Sequence, residues 1–294
     1  MASKLINIPR SSQKEIAELF TEKGSYIYSK TDIGKIFQQG RHSWRIAESV
    51  TVAQFIKYLI AKISLVPVDL QFPSRKEKRY IYGETTPFHL ALSIKKDAYL
   101  SHYTSMYLHS LTDQIPKMIY VNKEQTPKQK SQNEMTQDGI DLAFKRPQRI
   151  SKYMAEYNEY KICLLNGKNT NNLGVYENTD LFDQPLLLTD IERTLIDICV
   201  RPEYAGGYSE VLNAFQNAHD RVSINRLLSY YSKMDYVYPY HQVIGFYLER
   251  SGSYSERQID FFRKLEKKFD FYLTYNMQNT EYSKEWRLYY PGGM

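Results

Sequence analysis

Residues 51–63, TVAQFIKYLIAKI, predict a helix with one apolar side. At 100° per residue, the aliphatic and phenylalanine side chains of this stretch fall within one arc, and Lys57 and Tyr58 fall on the opposite side. Thr51 and Gln54 have the spacing of a capping box, in which the two side chains bind each other's backbone N–H groups. The stretch therefore predicts a capped helix that packs one side against a core.

The residues after this helix predict an antiparallel pair of strands. The segment 65–70, LVPVDL, and the segment 79–82, RYIY, have strand-like composition. Between them lies 72–78, FPSRKEK, which is predicted to be a turn rich in positive charge.

Two further helices are predicted before residue 51. Ser12 and Glu15 have capping-box spacing at the start of the first, and Ser29 is a candidate cap for the second. A basic linker, 41–45 (RHSWR), connects the second helix to the third. Three short helices followed by a basic hairpin is the order of a winged helix-turn-helix, in which the third helix enters the DNA major groove.

The positive charge of the chain is concentrated in the same segment. Residues 1–90 hold 14 Lys and Arg against 8 Asp and Glu, whereas the remaining 204 residues hold 25 of each. A local surplus of this kind indicates a polyanionic partner, of which nucleic acid is the commonest.

Ten side chains are expected to contact DNA. Gln54, Lys57 and Tyr58 would face the bases from the third helix, and Thr51 stands at its start. Contacts to phosphates are expected from Arg41, Arg45, Arg75, Lys76, Lys78 and Arg79. Other interpretations stay open, because Gln54 can simply close its own cap, the hairpin cations can form an ordinary solvated turn, and Lys57 and Tyr58 can be ordinary exposed residues.

Composition limits the class of protein. The chain has 294 residues, 42% of them hydrophobic and 24% charged, which is typical of a globular protein. Cys163 and Cys199 lie in apolar runs and are predicted to be buried free thiols in a reducing environment. No apolar run approaches membrane-spanning length and no signal peptide is recognised, so a cytoplasmic protein without membrane contact is expected.

Beyond residue 90 the pattern is mixed, and it predicts an α+β domain that ends in a helical portion. We expect two domains, 1–90 and 91–294, with a separate subdomain from about residue 240 left open. A helix capped by Ser101 and an exposed loop at 123–139 are expected. The predicted strands are 117–121, 140–144 and 160–165, with a pair near 270–273 and 286–290, and the predicted helices are 189–200, 208–218, 225–233, 242–248 and 257–269.

Residues that carry chemistry are few in this neutral region. His102 and His109 could share a helix side, but no third ligand has the spacing of a metal site. A second candidate is the acidic cluster Asp190, Glu192 and Asp197, which favourable interaction with a helix start also explains. There is no G-x-S-x-G elbow and no phosphate-binding glycine loop. We therefore expect no cofactor, no metal and no enzymatic activity.

Two stretches of this region resemble a known family. Residues 99–116, YLSHYTSMYLHSLTDQIP, are similar to the SH-x-SAL-x-LHGLTDQ-x-P segment of AbiEi-type antitoxins. Residues 188–197, LTDIERTLID, continued by 201–207, RPEYAGG, are similar to the TD-x-ERTLID and RPE-x-AGG segments. The chain departs from the family at 104–106, TSM in place of SAL, and in a longer and more divergent N-terminal segment.

This resemblance implies a bacterial type IV toxin–antitoxin system linked to abortive infection and phage defence. It implies an N-terminal winged helix that represses its own operon by binding repeated promoter sequences. It also implies neutralisation of a cognate nucleotidyltransferase toxin, for which a stable complex is not required, and it supplies no catalytic residues. Two alternatives remain: a stand-alone winged-helix regulator with a ligand-sensing or dimerising C-terminal domain, and an enzyme that uses the acidic cluster.

Overall fold

The computed structural model describes residues 6–22, 27–127, 134–182 and 184–294. The chain divides into two compact units, which we call unit 1 (Met1–Lys96 with Met154–Glu159) and unit 2 (Asp97–Tyr153 with Tyr160–Met294). Both contain helices and strands, so the α+β class is confirmed. The division follows Lys96, whereas the predicted boundary at residue 90 lies within a short helix, Pro87–Leu92.

Unit 1 contains helices and strands in the predicted order. They are α1 (Arg10–Glu22), β1 (Ile27–Tyr28), α2 (Lys30–Gly40), α3 (Val52–Lys62), β2 (Val66–Phe72), β3 (Arg75–Ile81) and α4 (Pro87–Leu92). The strands form an antiparallel sheet in the order β1-β3-β2. Three helices before a hairpin are therefore confirmed, and β1 adds an edge strand that the sequence did not predict.

Local side-chain contacts determine where the helices of unit 1 begin. Ser29 with Asp32, and Thr51 with Gln54, form complete capping boxes, so both predicted caps are confirmed. The cap predicted at Ser12 is wrong, because α1 begins two residues earlier and Ser12 is buried within it. The hairpin also differs from the prediction. Phe72 pairs with Arg75, so the turn is tight and the basic residues lie in a strand.

Aromatic side chains form much of the core of unit 1. Phe37 and Trp44 pack on Phe55 of α3, with ring centroids 4.9 and 5.8 Å from it. Phe20 of α1 meets Tyr28 of β1 edge-on at 4.9 Å. Burial of such rings supplies a large share of the apolar stabilisation of a small domain, and here it joins α1, α2, α3 and the linker between them.

Most of the remaining strands form a sheet in unit 2. The elements in chain order are β4 (Tyr99–Leu100), α5 (Tyr103–Leu108), β5 (Met118–Asn122), α6 (Gln137–Phe144), β6 (Met154–Tyr157, assigned to unit 1), β7 (Tyr160–Leu165), β8 (Val175–Asn178) and β9 (Leu186–Thr189). The order within unit 2 is β7-β5-β4-β9-β8. Two pairs, β5–β7 and β4–β9, are parallel.

Two predictions for this part of the chain are wrong. The strand expected at 140–144 belongs to α6, which Thr136 caps and which buries Ile140 and Phe144 on one side. That spacing of four is helical, and the short apolar run concealed it. Helix α5 is preceded by His102 rather than capped by Ser101. Of the predicted loop at 123–139, residues 128–133 lie outside the described residues.

Helices follow the sheet, but they do not end the chain. They are α7 (Ile191–Val200), α8 (Tyr208–Ala218), α9 (Ile224–Met234), α10 (Tyr240–Arg250) and α11 (Glu256–Arg263), with a 3₁₀ turn at Pro202–Ala205. A small sheet then forms from β10 (Phe271–Tyr272), β11 (Thr280–Ser283) and β12 (Leu288–Pro291), in the order β10-β12-β11. The expected helical ending is therefore wrong, although the predicted strand pair is confirmed.

One hydrophobic core joins the helices of unit 2 to this small sheet. Trp286 and Leu288 are fully buried in the same cluster as Leu195 of α7 and Phe215 of α8. Cys163 and Cys199 are buried free thiols, as predicted. Among the described residues, every helix is too short or too polar to cross a bilayer.

Candidate nucleic-acid interface

The exposed side of α3 carries small, apolar and basic side chains. Gln54 and Lys57 are exposed there, as predicted, and they are accompanied by Ala53, Ile60 and Ala61. Gln54 Oε1 accepts hydrogen bonds from the backbone N–H and the hydroxyl of Thr51, each at 2.9 Å. Thr51 and Gln54 therefore hold each other in place at the start of the helix. No carboxylate lies on α3.

Tyr58 does not belong to this exposed side, so its predicted role in contacting bases is wrong. The side chain is only 1% exposed and its ring stacks on Phe55, with centroids 6.3 Å apart. The hydroxyl is buried and has no hydrogen-bond partner among the described residues. Burial raises the pKa of Tyr58 above its ordinary value. The residue extends the aromatic row that Trp44 begins, and it contributes to the core.

The two arginines of the 41–45 linker have different environments. Arg41 donates to the carbonyl of Ala47 at 2.8 Å, and its guanidinium lies 5.4 Å from the centre of the Phe37 ring. It therefore organises the linker. Arg45 is exposed, and its side chain makes no hydrogen bond or ion pair within the described ranges. Of the two, Arg45 is the better placed to meet an external phosphate.

The cations of β3 are largely engaged by neighbouring groups. Arg75 pairs with Glu77 at 2.8 Å, and Lys78 pairs with Asp69 at 3.2 Å. Arg79 is 6% exposed and donates to the carbonyls of Ser93 and Ile94, each at 3.0 Å. The predicted phosphate contact of Arg79 is therefore wrong, because the residue anchors the segment that follows α4.

Lys76 is the cation of β3 that remains exposed without an ion pair among the described residues. Its position in the hairpin is the one part of the predicted basic turn that keeps an uncompensated charge. Exposed ion pairs such as Lys78–Asp69 contribute little stability, but they reduce the positive field that a phosphate would meet.

The sequence did not indicate a groove beside α3. It has a volume of about 470 Å³ and lies between the exposed side of α2 and the first turn of α3. Its lining residues are Thr31, Gly34, Lys35, Gln38, Gln39 and Val52. The only signal in the sequence was a glycine within a polar helix side, which is too common to single out.

In unit 2, the two predicted histidines lie at opposite ends of α5. His102 precedes the helix with φ of 53°, in the left-handed region, and its Nδ1 lies 2.9 Å from the hydroxyl of Ser101. His109 follows the helix and donates from Nε2 to the carbonyl of Thr189 at 2.7 Å. Burial lowers the pKa of both imidazoles, that of His102 to about 4. They are neutral, buried groups that hold the α5 segment in place.

The acidic cluster has structural partners. Asp190 caps α7 and accepts a hydrogen bond from Tyr230 at 3.0 Å. Glu192 accepts from the backbone N–H of Ser223 at 2.7 Å, and Asp197 pairs with Arg193 at 2.9 Å. Within the described ranges, no group of three or more His, Cys, Asp or Glu side chains is arranged to hold a metal ion.

A third histidine gives unit 2 a testable pH dependence. His241 donates from Nε2 to the carbonyl of Glu266 and accepts at Nδ1 from Tyr231. Burial lowers its pKa to about 4, against about 6.5 in the unfolded chain. Because only the unfolded chain binds this proton between these two values, the stabilising effect is complete above about pH 7 and is lost towards pH 4.

We expect His241→Gln to reduce the dependence of stability on pH. Its pKa difference corresponds to at most about 3 kcal/mol between pH 7 and pH 4. Urea unfolding at a series of pH values measures this slope, with the exposed residue His42, changed to Gln, as the control. An unchanged slope in His241→Gln would show that this imidazole is not the group responsible.

Comparison with known structures shows a similar fold in a second protein. The RV2827C protein from Mycobacterium tuberculosis matches with a TM-score of 0.59 at 14% identity, over 97% of this chain and 92% of that chain. No protein-family model and no curated protein sequence matches the chain. At this identity the likeness concerns the fold alone, and it supports an α+β architecture over nearly the whole sequence.

Proposed function

We propose that unit 1 is a winged helix-turn-helix that binds double-stranded DNA. The observation that carries this proposal is the exposed side of α3, where Gln54 and Lys57 lie on a capped helix without any carboxylate. The helix follows α1 and α2 and precedes the β2–β3 hairpin, which is the order of such a domain. The positive surplus of residues 1–90 favours association with a polyanion.

We further propose that the protein is an AbiEi-type antitoxin that represses its own operon and neutralises a nucleotidyltransferase toxin. The two segments that resemble this family are neighbours in unit 2, since Leu100 of β4 pairs with Leu188 of β9. Their polar residues Ser101, Thr104 and Arg193 are buried. Such residues support the fold, so a non-enzymatic role, through the surface of unit 2, fits these segments better than catalysis.

The DNA proposal is tested by the salt dependence of binding. We expect the triple variant Arg45→Ala/Lys57→Ala/Lys76→Ala to bind both operator and random duplexes more weakly. The slope of log K against log salt should fall by about 0.9 for each phosphate that the variant no longer neutralises. Fluorescence anisotropy with a labelled duplex from the chain's own promoter, over a range of salt concentrations, measures the slope.

The matched control removes three cations of unit 2, in the variant Lys233→Ala/Lys268→Ala/Lys284→Ala. This changes the net charge equally and should leave the slope as in the wild type. If the slope falls equally in both variants, binding reflects net charge and not this surface. If the wild type binds no duplex even at low salt, the DNA proposal is wrong.

The antitoxin proposal is tested by co-expression with the adjacent gene. We expect the full-length protein to restore growth in cells that express a neighbouring nucleotidyltransferase. The triple variant of unit 1 should protect equally well when both are expressed from a foreign promoter. DNA binding without protection would instead support a stand-alone regulator.

A further inference from the structure

The groove between α2 and α3 is lined by polar side chains that the protein itself does not use. Thr31, Lys35, Gln38 and Gln39 make no hydrogen bond or ion pair with any described residue. Three of the four cations of β3, in contrast, are already engaged by Glu77, Asp69 or backbone carbonyls. Unsatisfied donors are therefore more plentiful along α2 than along the hairpin.

Gly34 forms the floor of this groove, although the fold does not require a glycine there. The residue lies inside α2, where glycine is less favourable than alanine. A Cβ added at this position would lie 3.9 Å from Cγ1 of Val52, which is an ordinary contact distance. Because neither backbone conformation nor internal packing demands glycine, its effect is to leave space on the outer side of the helix.

The charge of the lining indicates what occupies that space. It contains a lysine, two amides and a hydroxyl, and no carboxylate. Asp32, the one acid of α2, is held by the backbone N–H of Ser29 at 2.9 Å and by its hydroxyl at 2.6 Å. A strand of DNA backbone matches such a surface, because its sugars are apolar and its phosphates accept hydrogen bonds from lysine, amide and hydroxyl donors.

We propose that this groove takes one sugar–phosphate strand of the DNA that α3 contacts. A sugar lies over Gly34, and the flanking phosphates accept hydrogen bonds from Lys35, Gln38 and Gln39. The inference rests on the proposed DNA-binding function. It adds to the interface a helix side that the sequence did not predict, and it makes α2, with Lys76, the main source of phosphate contacts.

Two full-length variants test the proposal. We expect Gly34→Ala to raise the melting temperature of unit 1 and to weaken binding of operator and random duplexes about fivefold to tenfold, which is about 1.0–1.4 kcal/mol. Opposite effects on stability and affinity distinguish an occupied groove from a packing defect. We expect Lys35→Ala to lower the salt slope by about 0.9, the value for one phosphate contact.

The control is Gly139→Ala, the same change in α6 of unit 2, which should leave DNA affinity unchanged. If the wild type binds DNA but Gly34→Ala and Lys35→Ala bind it equally well, the groove proposal is overturned and the DNA proposal stands. Loss of protection against the toxin in Gly34→Ala, with DNA binding intact, would show a protein occupant and also overturns it. Absence of DNA binding by the wild type would overturn both proposals.

Discussion

Replacing Arg193 with methionine should lower the free energy of unfolding of unit 2 by about 3–5 kcal/mol. The guanidinium is 3% exposed and is surrounded by acceptors. It donates to Asp197 at 2.9 Å, to Thr170 at 2.8 Å and to the carbonyl of Leu173 at 2.6 Å. Its removal would leave the carboxylates of Asp197 and Glu124 buried without their cation.

The environment of Glu124 shows why this substitution is severe. The carboxylate lies 3.6 Å from Arg193 and is 6% exposed. Burial by itself raises the pKa of Glu124, but hydrogen bonds from Thr170 and Asn172, together with Arg193, lower it below its ordinary value. The anion is thus retained inside the protein because of these partners. A buried charge that is deprived of its counter-charge costs several kcal/mol, far more than the removal of an exposed pair.

Urea unfolding followed by tryptophan fluorescence measures this effect. The chain has two tryptophans, Trp44 in unit 1 and Trp286 in unit 2, so a Trp44→Phe background confines the signal to unit 2. The exposed pair Lys14–Glu18 provides the control, since Lys14→Met should cost less than about 1 kcal/mol. A comparably small effect of Arg193→Met would contradict the structural role assigned to this arginine.

The features that the sequence predicted correctly depend on neighbours in the chain. Thr51 and Gln54 are three residues apart, and the capping box needs no information from elsewhere. The apolar arc of α3 and the strand at 160–165 were also visible as local patterns. Each of these features is determined within one or two turns of helix or one strand.

The errors concern contacts between residues that are distant in the sequence. Tyr58 is buried by the aromatic row that begins at Trp44, and Arg79 is bound by carbonyls 14 and 15 residues away. No local pattern indicates either contact. The groove at Gly34 escaped prediction for the same reason, because it exists only where α3 starts against the side of α2.

Changing Gly245 to alanine should destabilise unit 2 by about 3 kcal/mol, at the upper end of the usual cost of overpacking. Gly245 lies in the buried helix α10, and an added Cβ would overlap Cζ3 and Cη2 of the Trp286 indole. The indole cannot move away easily, since it is fully buried and its Nε1 donates to Glu249 at 2.8 Å. The same Gly→Ala change at Gly34 meets only an ordinary contact and should not destabilise.

A double-mutant cycle identifies the cause of the Gly245→Ala defect. Trp286→Leu alone should cost about 3–5 kcal/mol, as truncation of a large buried aromatic does. If the clash is the cause, Gly245→Ala should cost much less in the Trp286→Leu background, because the added methyl group then occupies space that the indole has vacated. Urea unfolding followed by far-UV circular dichroism measures all four proteins. Strictly additive effects would mean that Gly245→Ala acts by some route other than contact with Trp286.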